Sequence, residues 1–369
     1  MGWKAIFNPT AISSRKMKSY VGKFSSLSLY TESGSSAWKQ WGPGLRDRIV
    51  KWTSEHKTEL DKLSISALPH FFDLRRRYPL CSHIGEIVNQ GACGSCWAVS
   101  AAAVISDRIC IRSNMTKDIQ VSAQDLISCC HDCGGCGGEK LPLAPFLYWE
   151  ESGVVTGGGF GSNEGCMPYQ LRNDCGSPCP VYYYNRGQTP VCSATCNERY
   201  RISYTNDKQY GTCAELWSSQ TWSFKASPAL CTTTTGERHQ CNATCKERYR
   251  LPKYTKREQI IMTKKEIYHY GSVHSCFYMH EGFQHYSSGI YTHKDPWNRK
   301  LFSVIDSGSS VVYGHCFKLI GWDSDPSKPS SQHYWIAVNS WGRDWGQNGL
   351  VFIKLSEVPL EMQAGIPKL

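Results

Sequence analysis

Nineteen cysteines stand in this 369-residue chain, and 13 of them fall between positions 129 and 245. So many thiols would be chemically vulnerable in a reducing compartment, which points to a disulfide-bonded protein of the secretory pathway. Two acceptor triplets, Asn114-Met115-Thr116 and Asn242-Ala243-Thr244, agree with that route and make Asn114 and Asn242 candidate glycosylation sites. The charge balance, 41 Lys+Arg against 31 Asp+Glu, is too moderate for a nucleic-acid tail or a disordered solvating segment. No nucleic-acid partner is expected. No stretch approaches the ~18 apolar residues of a membrane span. Met1 to Val50 is interrupted throughout by Lys, Arg, Ser and Gly, without the apolar run of roughly 7–15 residues that a signal peptide needs. The true start is expected to lie upstream.

The first cysteine is Cys81, and residues 1–67 are rich in Ser, Lys and Trp. That shift predicts a leader or pro-segment over 1–67 and a working domain over 68–369. Residues 94–110 read as a buried Ala-rich helix with Ser95 near its start. The cysteine-rich stretch 129–245, with its many Gly, Pro and Ser, should be loop-rich and cross-linked. From about Lys256 a helix is predicted, since Ile260, Ile261, Lys264, Ile267 and Tyr268 recur at helical spacing. Later segments, such as Cys316–Ile320 and Tyr334–Val338, read as strands. Helices first and strands later indicate an α+β chain in two lobes. Cys192–Arg201 recurs as Cys241–Arg250 with eight matches in ten at an offset of 49. Two copies are too few for a solenoid, so this is a duplicated loop at about 192–250.

The segment Asn89-Gln90-Gly91-Ala92-Cys93-Gly94-Ser95-Cys96-Trp97 is the richest in chemistry. A cysteine opening a buried helix has its thiolate stabilised by the helix dipole. A nucleophilic Cys96 then needs a histidine as base and a third group to orient that ring. Gly314-His315 and Asn339-Ser340-Trp341-Gly342 supply both in order. Gln90 offers an amide for a developing oxyanion. Cys93-Gly-Ser-Cys96 is also a CxxC, but the strand and βαβ pattern of a redox domain are not visible around it. Cys129-Cys130-His131-Asp132-Cys133-Gly-Gly-Cys136 has the look of a zinc cluster. With this many cysteines, disulfides are the expected reading, and no metal is assigned.

Taken together, these residues resemble the papain family of cysteine proteases, in its cathepsin B branch, over about 68–369. The resemblance begins at Leu68-Pro69-His70-Phe71-Phe72-Asp73 and runs through the Cys96 segment, Asp107-Arg108-Ile109-Cys110 and Gly165-Cys166-Met167-Pro168-Tyr169. It continues to Gly321-Trp322, Asn339-Ser340-Trp341, Asp344-Trp345-Gly346 and Ala364-Gly365-Ile366-Pro367. It implies a two-lobe papain-like fold, a helical lobe and a β-barrel-like lobe, with Cys96 as nucleophile, His315 as acid/base, Asn339 as orienting group and Gln90 as oxyanion donor. It further implies a substrate cleft that includes Gly137, Gly138, Cys276, Gly314, Cys316 and Trp345. Glu361 matches the acid at the base of the S2 pocket, which implies tolerance of Arg or apolar residues at P2. Trp341 is expected to shield the His315–Asn339 bond. The family's pairing would be Cys81–Cys110, Cys93–Cys136, Cys129–Cys192, Cys130–Cys133, Cys166–Cys196 and Cys175–Cys179, with Cys241 and Cys245 as rival partners for Cys129 and Cys166.

The resemblance also implies a zymogen of lysosomal or extracellular location, protein or peptide substrates, inhibitors of the cystatin type, a monomer, and no cofactor. Departures shape these expectations. The stretch Cys166–Cys196 holds no histidine of the kind that clamps a substrate's C-terminus, so endopeptidase action is expected. Residues 294–313 lengthen a hairpin before His315, and Gly271-Ser272-Val273 replaces the usual Gly-Pro-Val. Cys276 and Cys316 stand where the family has small S2 residues: either two small buried hydrophobes, or a pair that faces and oxidises. A non-catalytic protein that binds through the duplicated loop is the alternative reading.

Overall fold

The computed structural model describes residues 4–5, 45–139, 143–172, 174–179, 188–212, 254–292, 312–357 and 361–369, and the backbone of short strands within 214–249. Asn242, the side chains of Cys213, Cys231, Cys241, Cys245 and Glu361, and most of 294–313 lie outside the described residues.

Three helices build the first lobe. Helix α2 runs Cys96–Arg112 after α1, Leu45–Asp61; α3 is Ala123–Cys129 and α4 is Ala144–Glu151. Ala98 and Ala101–Ala103 cost little conformational entropy in α2. The helix is buried almost all round, as a helix at the centre of a lobe must be. The Ser122 hydroxyl caps α3 by accepting from the Asp125 amide at 2.9 Å. Cys93–Cys136, Cys129–Cys192, Cys130–Cys133 and Cys166–Cys196 are bonded around this core, and Cys81–Cys110 and Cys175–Cys179 are bonded as well. The first copy of the repeat thus holds Cys129 and Cys166.

The second lobe is an eight-stranded sheet packed on α5, Lys256–Tyr270. Its strands are β1 Phe71–Asp73, β2 Ala214–Ser218, β3 Val273–His280, β4 Ile290–Tyr291, β5 Val312–Asp323, β6 Tyr334–Val338, β7 Leu350–Lys354 and β8 Glu361–Ala364. The order is β4-β7-β6-β5-β3-β8-β2, with β1 on the far end of β5; only β4 and β7 are parallel. Helix α5 opens with a reciprocal cap. The Glu258 amide donates to Thr255 Oγ1 at 3.3 Å, and the Thr255 amide donates to Glu258 Oε2 at 2.7 Å. One expectation needs correcting: β2 lies inside the stretch read as loop. Its partner, β8, is more than 140 residues away, and a local pattern carries no trace of such a pairing.

Buried charges join the lobes. Arg108 on α2 is 1% exposed and spends its guanidinium on Glu266 Oε1 (2.7 Å), the Ser272 carbonyl (2.8 Å) and the Gly365 carbonyl (3.0 Å). Beside it, Asp107 pairs with Lys318 of β5 at 3.0 Å and accepts from the Ser272 hydroxyl at 2.6 Å. His56 of α1 meets the same Glu266 at 2.6 Å, and Lys265 Nζ donates to the Leu60 carbonyl. Burial alone would raise the Glu266 carboxyl; the charges of His56 and Arg108 outweigh it and bring the group down to about 2.

Candidate active site

Cys96 is the first residue of α2, is buried, and is the free cysteine among the described residues. Ser95 occupies the capping position, but its hydroxyl makes no cap. It donates instead to Tyr169 Oη at 2.8 Å, and Tyr169 donates in turn to the Gln90 carbonyl at 2.7 Å. The leading amides of α2 are thereby left open at the sulfur: the backbone N–H groups of Cys316 from β5, then of Trp97 and Cys96, favour the Cys96 thiolate. The thiol therefore lies against the strand residue that follows His315.

His315 is 3% exposed, and its Nε2 meets Asn339 Oδ1 at 2.7 Å. The Ser340 amide also donates to Oδ1, at 2.8 Å, so that atom is an acceptor and the histidine carries its proton on Nε2. The other ring nitrogen, Nδ1, is then the basic one. The Trp341 ring lies 4.6 Å from the imidazole and Phe317 lies edge-on at 4.7 Å, which keeps water from the His315–Asn339 bond. Burial disfavours both charged forms. It pushes the Cys96 thiol up to about 12, against the Cys316 amide that lowers it and with the Glu139 charge that raises it further. It lowers His315 to about 4 despite the Asn339 bond.

Gln90 is wired to the same assembly. Its Oε1 accepts from Ser340 Oγ at 2.6 Å and its Nε2 donates one proton to the Cys93 carbonyl at 2.9 Å. The amide is thus held beside the turn that presents Cys96. Gly137 is exposed, with no atom within 4 Å of where a Cβ would stand, and Gly138 (φ 93°) lies against Gly94. Gly314 is half-buried on β5 opposite Tyr278. The Glu361 backbone is in register with Cys276.

One expectation is corrected here, and one open choice is resolved. Trp345 does not face the cleft: it is 2% exposed, stacks edge-on behind Trp341 at 5.1 Å and donates to the Gln284 carbonyl at 3.2 Å. Its indole is core. Of the two readings of Cys276 and Cys316, the structure has the second: they pair across β3 and β5 and are disulfide-bonded. Glu139 and His274, which touch this pair, escaped the sequence reading. The alternation His274-Ser275-Cys276 on a strand was the available sign, because it sets both side chains on one face. A cavity of about 620 Å³ opens behind Asn339, bordered by Val99, Ser100, Cys316 and Lys318. Residues of both lobes border it, and Cys96 and His315 are not among them.

The family profile described as papain family cysteine protease matches residues 68–366. Cathepsin B-like cysteine proteinase 3 of Caenorhabditis elegans is 34% identical over 309 residues, 82% of this chain and 67% of that protein. A cathepsin B-like cysteine proteinase of Schistosoma japonicum is 33% identical over 287 residues, 77% of this chain and 67% of its own. Among solved structures, procathepsin B S9 from Trypanosoma congolense superposes with a TM-score of 0.57 at 26% identity, covering 84% of this chain and 80% of that one. The proform of the ragweed pollen protease Amb a 11 has a TM-score of 0.56 at 17% identity, covering 100% and 82%, a likeness of fold alone. No helix among the described residues is long and apolar enough to cross a membrane. The chain belongs to the papain family of cysteine proteases, within its cathepsin B-like group, and is a cysteine-type peptidase.

Proposed function

We propose that the chain is an endopeptidase in which Cys96 attacks the peptide carbonyl, His315 moves the proton and Asn339 holds the ring. The observation that carries this reading is the 2.7 Å bond from His315 Nε2 to Asn339 Oδ1, which makes Nδ1 the basic nitrogen, on the residue that precedes Cys316, while Cys96 stands at an uncapped helix start. A proton passing from Cys96 to His315 converts two neutral groups into an ion pair whose members offset each other's burial. The thiolate adds to the carbonyl, and the resulting oxyanion is held by the Cys96 amide and Gln90 Nε2. His315 returns its proton to the leaving amine, giving an acyl-enzyme. Water, activated by the same ring, then releases the acid and restores the thiol.

An extended substrate would lie along the backbone of Gly137, Gly138 and Gly314, with Glu361 at the base of the P2 pocket. Residues 1–67 act as a pro-segment, of which α1 is gripped through His56 and Leu60. The seven described disulfides support a secretory route to the lysosome or the cell exterior, with a glycan on the exposed Asn114. Inhibitors of the cystatin type would dock on the open cleft of a monomer.

Titration with a thiol-alkylating reagent tests the reading. Hydrolysis of a fluorogenic dipeptide with Phe at P2 and Arg at P1 should fall in proportion to alkylation and reach zero at one equivalent. Peptide mapping should place the label on Cys96. Turnover that survives full labelling of Cys96 would overturn the assignment. In the same assay, Glu361→Ala should lower turnover of an Arg-P2 substrate relative to Phe-P2 by about tenfold, the size of one charge pair worth about 1.4 kcal/mol. An unchanged ratio would remove Glu361 from the pocket.

A further inference from the structure

Beside Cys96 the described residues gather four metal-ligating side chains that acyl transfer does not use. The donor atoms of Glu139, His274, Cys276 and Cys316 all lie within 4.8 Å of one another. His274 and Cys276 share a face of β3, Cys316 stands opposite Cys276 on β5, and Glu139 enters from the loop after Gly138. His274 Nε2 is 3.5 Å from Cys276 Sγ and 3.7 Å from Glu139 Oε1, and Glu139 Oε2 is 3.7 Å from each sulfur. Ligands on a tetrahedral metal with bonds of about 2.0–2.3 Å are separated by roughly 3.3–3.8 Å. Four of that tetrahedron's six edges have this length. A fifth, between the sulfurs, is closed by their covalent bond, and the sixth, from His274 to Cys316, is within 4.8 Å.

Two details indicate that the oxidised pair is not the group's only state. The Glu139 side chain is 7% exposed, and its Oε1 has no hydrogen-bond partner. Its Oε2 faces two sulfurs that, while joined, carry no proton to donate. A buried carboxylate without donors is costly. His274, fully buried, is engaged at Nδ1 by Ser100 Oγ at 2.9 Å, which turns Nε2 toward the sulfurs, as second-shell partners turn metal-binding histidines. Ser100 and Cys316 also border the inter-lobe cavity, which offers a path for an ion.

We propose that the Cys276–Cys316 disulfide is the closed form of a zinc-class site, and that its reduction lets Cys276, Cys316, His274 and Glu139 bind one Zn²⁺. A small-molecule thiol is the reductant: two RSH supply two electrons and two protons, the S–S bond opens to two thiols, and RSSR leaves. Zn²⁺ then displaces both thiol protons and takes two thiolates, one imidazole and one carboxylate. Paired sulfur with imidazole selects zinc over magnesium or calcium. Because Cys316 follows His315 on β5 and its backbone acts on the Cys96 thiol, the ion would sit beside the nucleophile and obstruct the P2 pocket. That consequence rests on the function proposed above; the site itself does not.

The test uses the full chain carrying Cys96→Ser, so that no active-site thiol competes, with Co²⁺ as spectroscopic probe. After treatment with a phosphine and its anaerobic removal, the protein should bind one Co²⁺, with sulfur-to-cobalt charge transfer and tetrahedral ligand-field bands, displaced by Zn²⁺. The oxidised protein should bind at least about tenfold more weakly. Glu139→Gln should weaken binding by at least about tenfold while keeping the charge-transfer band. Cys276→Ala with Cys316→Ala should abolish the band. Equal binding by oxidised and reduced protein, or a band that survives the double alanine change, would overturn the proposal. The redox comparison uses one protein, so it decides the matter even where a variant folds poorly.

Discussion

With His315 replaced by alanine, kcat/KM for a fluorogenic dipeptide is expected to fall by about 10⁴-fold or more, the scale on which loss of an acid/base member silences a nucleophile–base unit. The physical reason is specific to this site. Burial pushes the Cys96 thiol up to about 12, so without the imidazole to take its proton the sulfur stays protonated at any ordinary pH. Alkylation of Cys96 should slow in parallel, because the reagent reads thiolate directly. Asn339→Ala leaves the ring but frees it to turn, and a loss of about 10²-fold is expected, the usual effect of a catalytic group displaced by an ångström. Near-wild-type turnover in His315→Ala, from protein with an unchanged melting temperature, would mean that another group serves as base.

Glu266→Ala should destabilise the domain by about 3–5 kcal/mol, since it strands the Arg108 guanidinium in a fully buried position. Urea unfolding at neutral pH reads this as a lower midpoint with an unchanged slope. Exchanging both partners for apolar residues, Arg108→Met with Glu266→Leu, should recover part of the loss, because the Arg108 charge is then no longer stranded, although His56 still loses its partner. The pairing also sets an acid limit. Against the upward push of burial, the two cations hold Glu266 at about 2 in the folded chain, below the ~4.3 of a free glutamate, so its contribution is complete above about pH 5 and is lost progressively as pH falls through 4 toward 2. A wild-type midpoint that already drops between pH 6 and 5 would assign the acid sensitivity to other groups.

The Cys96 segment, the Gly314-His315 pair and Asn339-Ser340-Trp341 were legible because each is a local string whose residue types the chemistry demands. Helix α2 and α5 were legible for a related reason: alanine content and apolar spacing act within a few turns. What stayed hidden depends on register between distant strands. The Cys276–Cys316 pairing could be raised only through the family resemblance, and nothing near Arg108 announces Glu266, 158 residues on. Trp345 was misplaced because a tryptophan in a recognised string can face the cleft or the core. Here Phe283, Tyr286 and Trp341 claim it for the core. Edge strand β2 was missed because its partner is the chain's far end.

The buried pairs between the lobes have a consequence for how the molecule comes apart. Asp107 and Arg108 lie on the helix that begins with Cys96, and Lys318 lies three residues beyond His315 on the same strand. The elements that carry Cys96 and His315 are therefore also the beams that bolt the lobes to each other. Neither lobe can melt while the other stands. The protein should unfold in one cooperative step, and damage to either core should register first as a misalignment of Cys96 and His315.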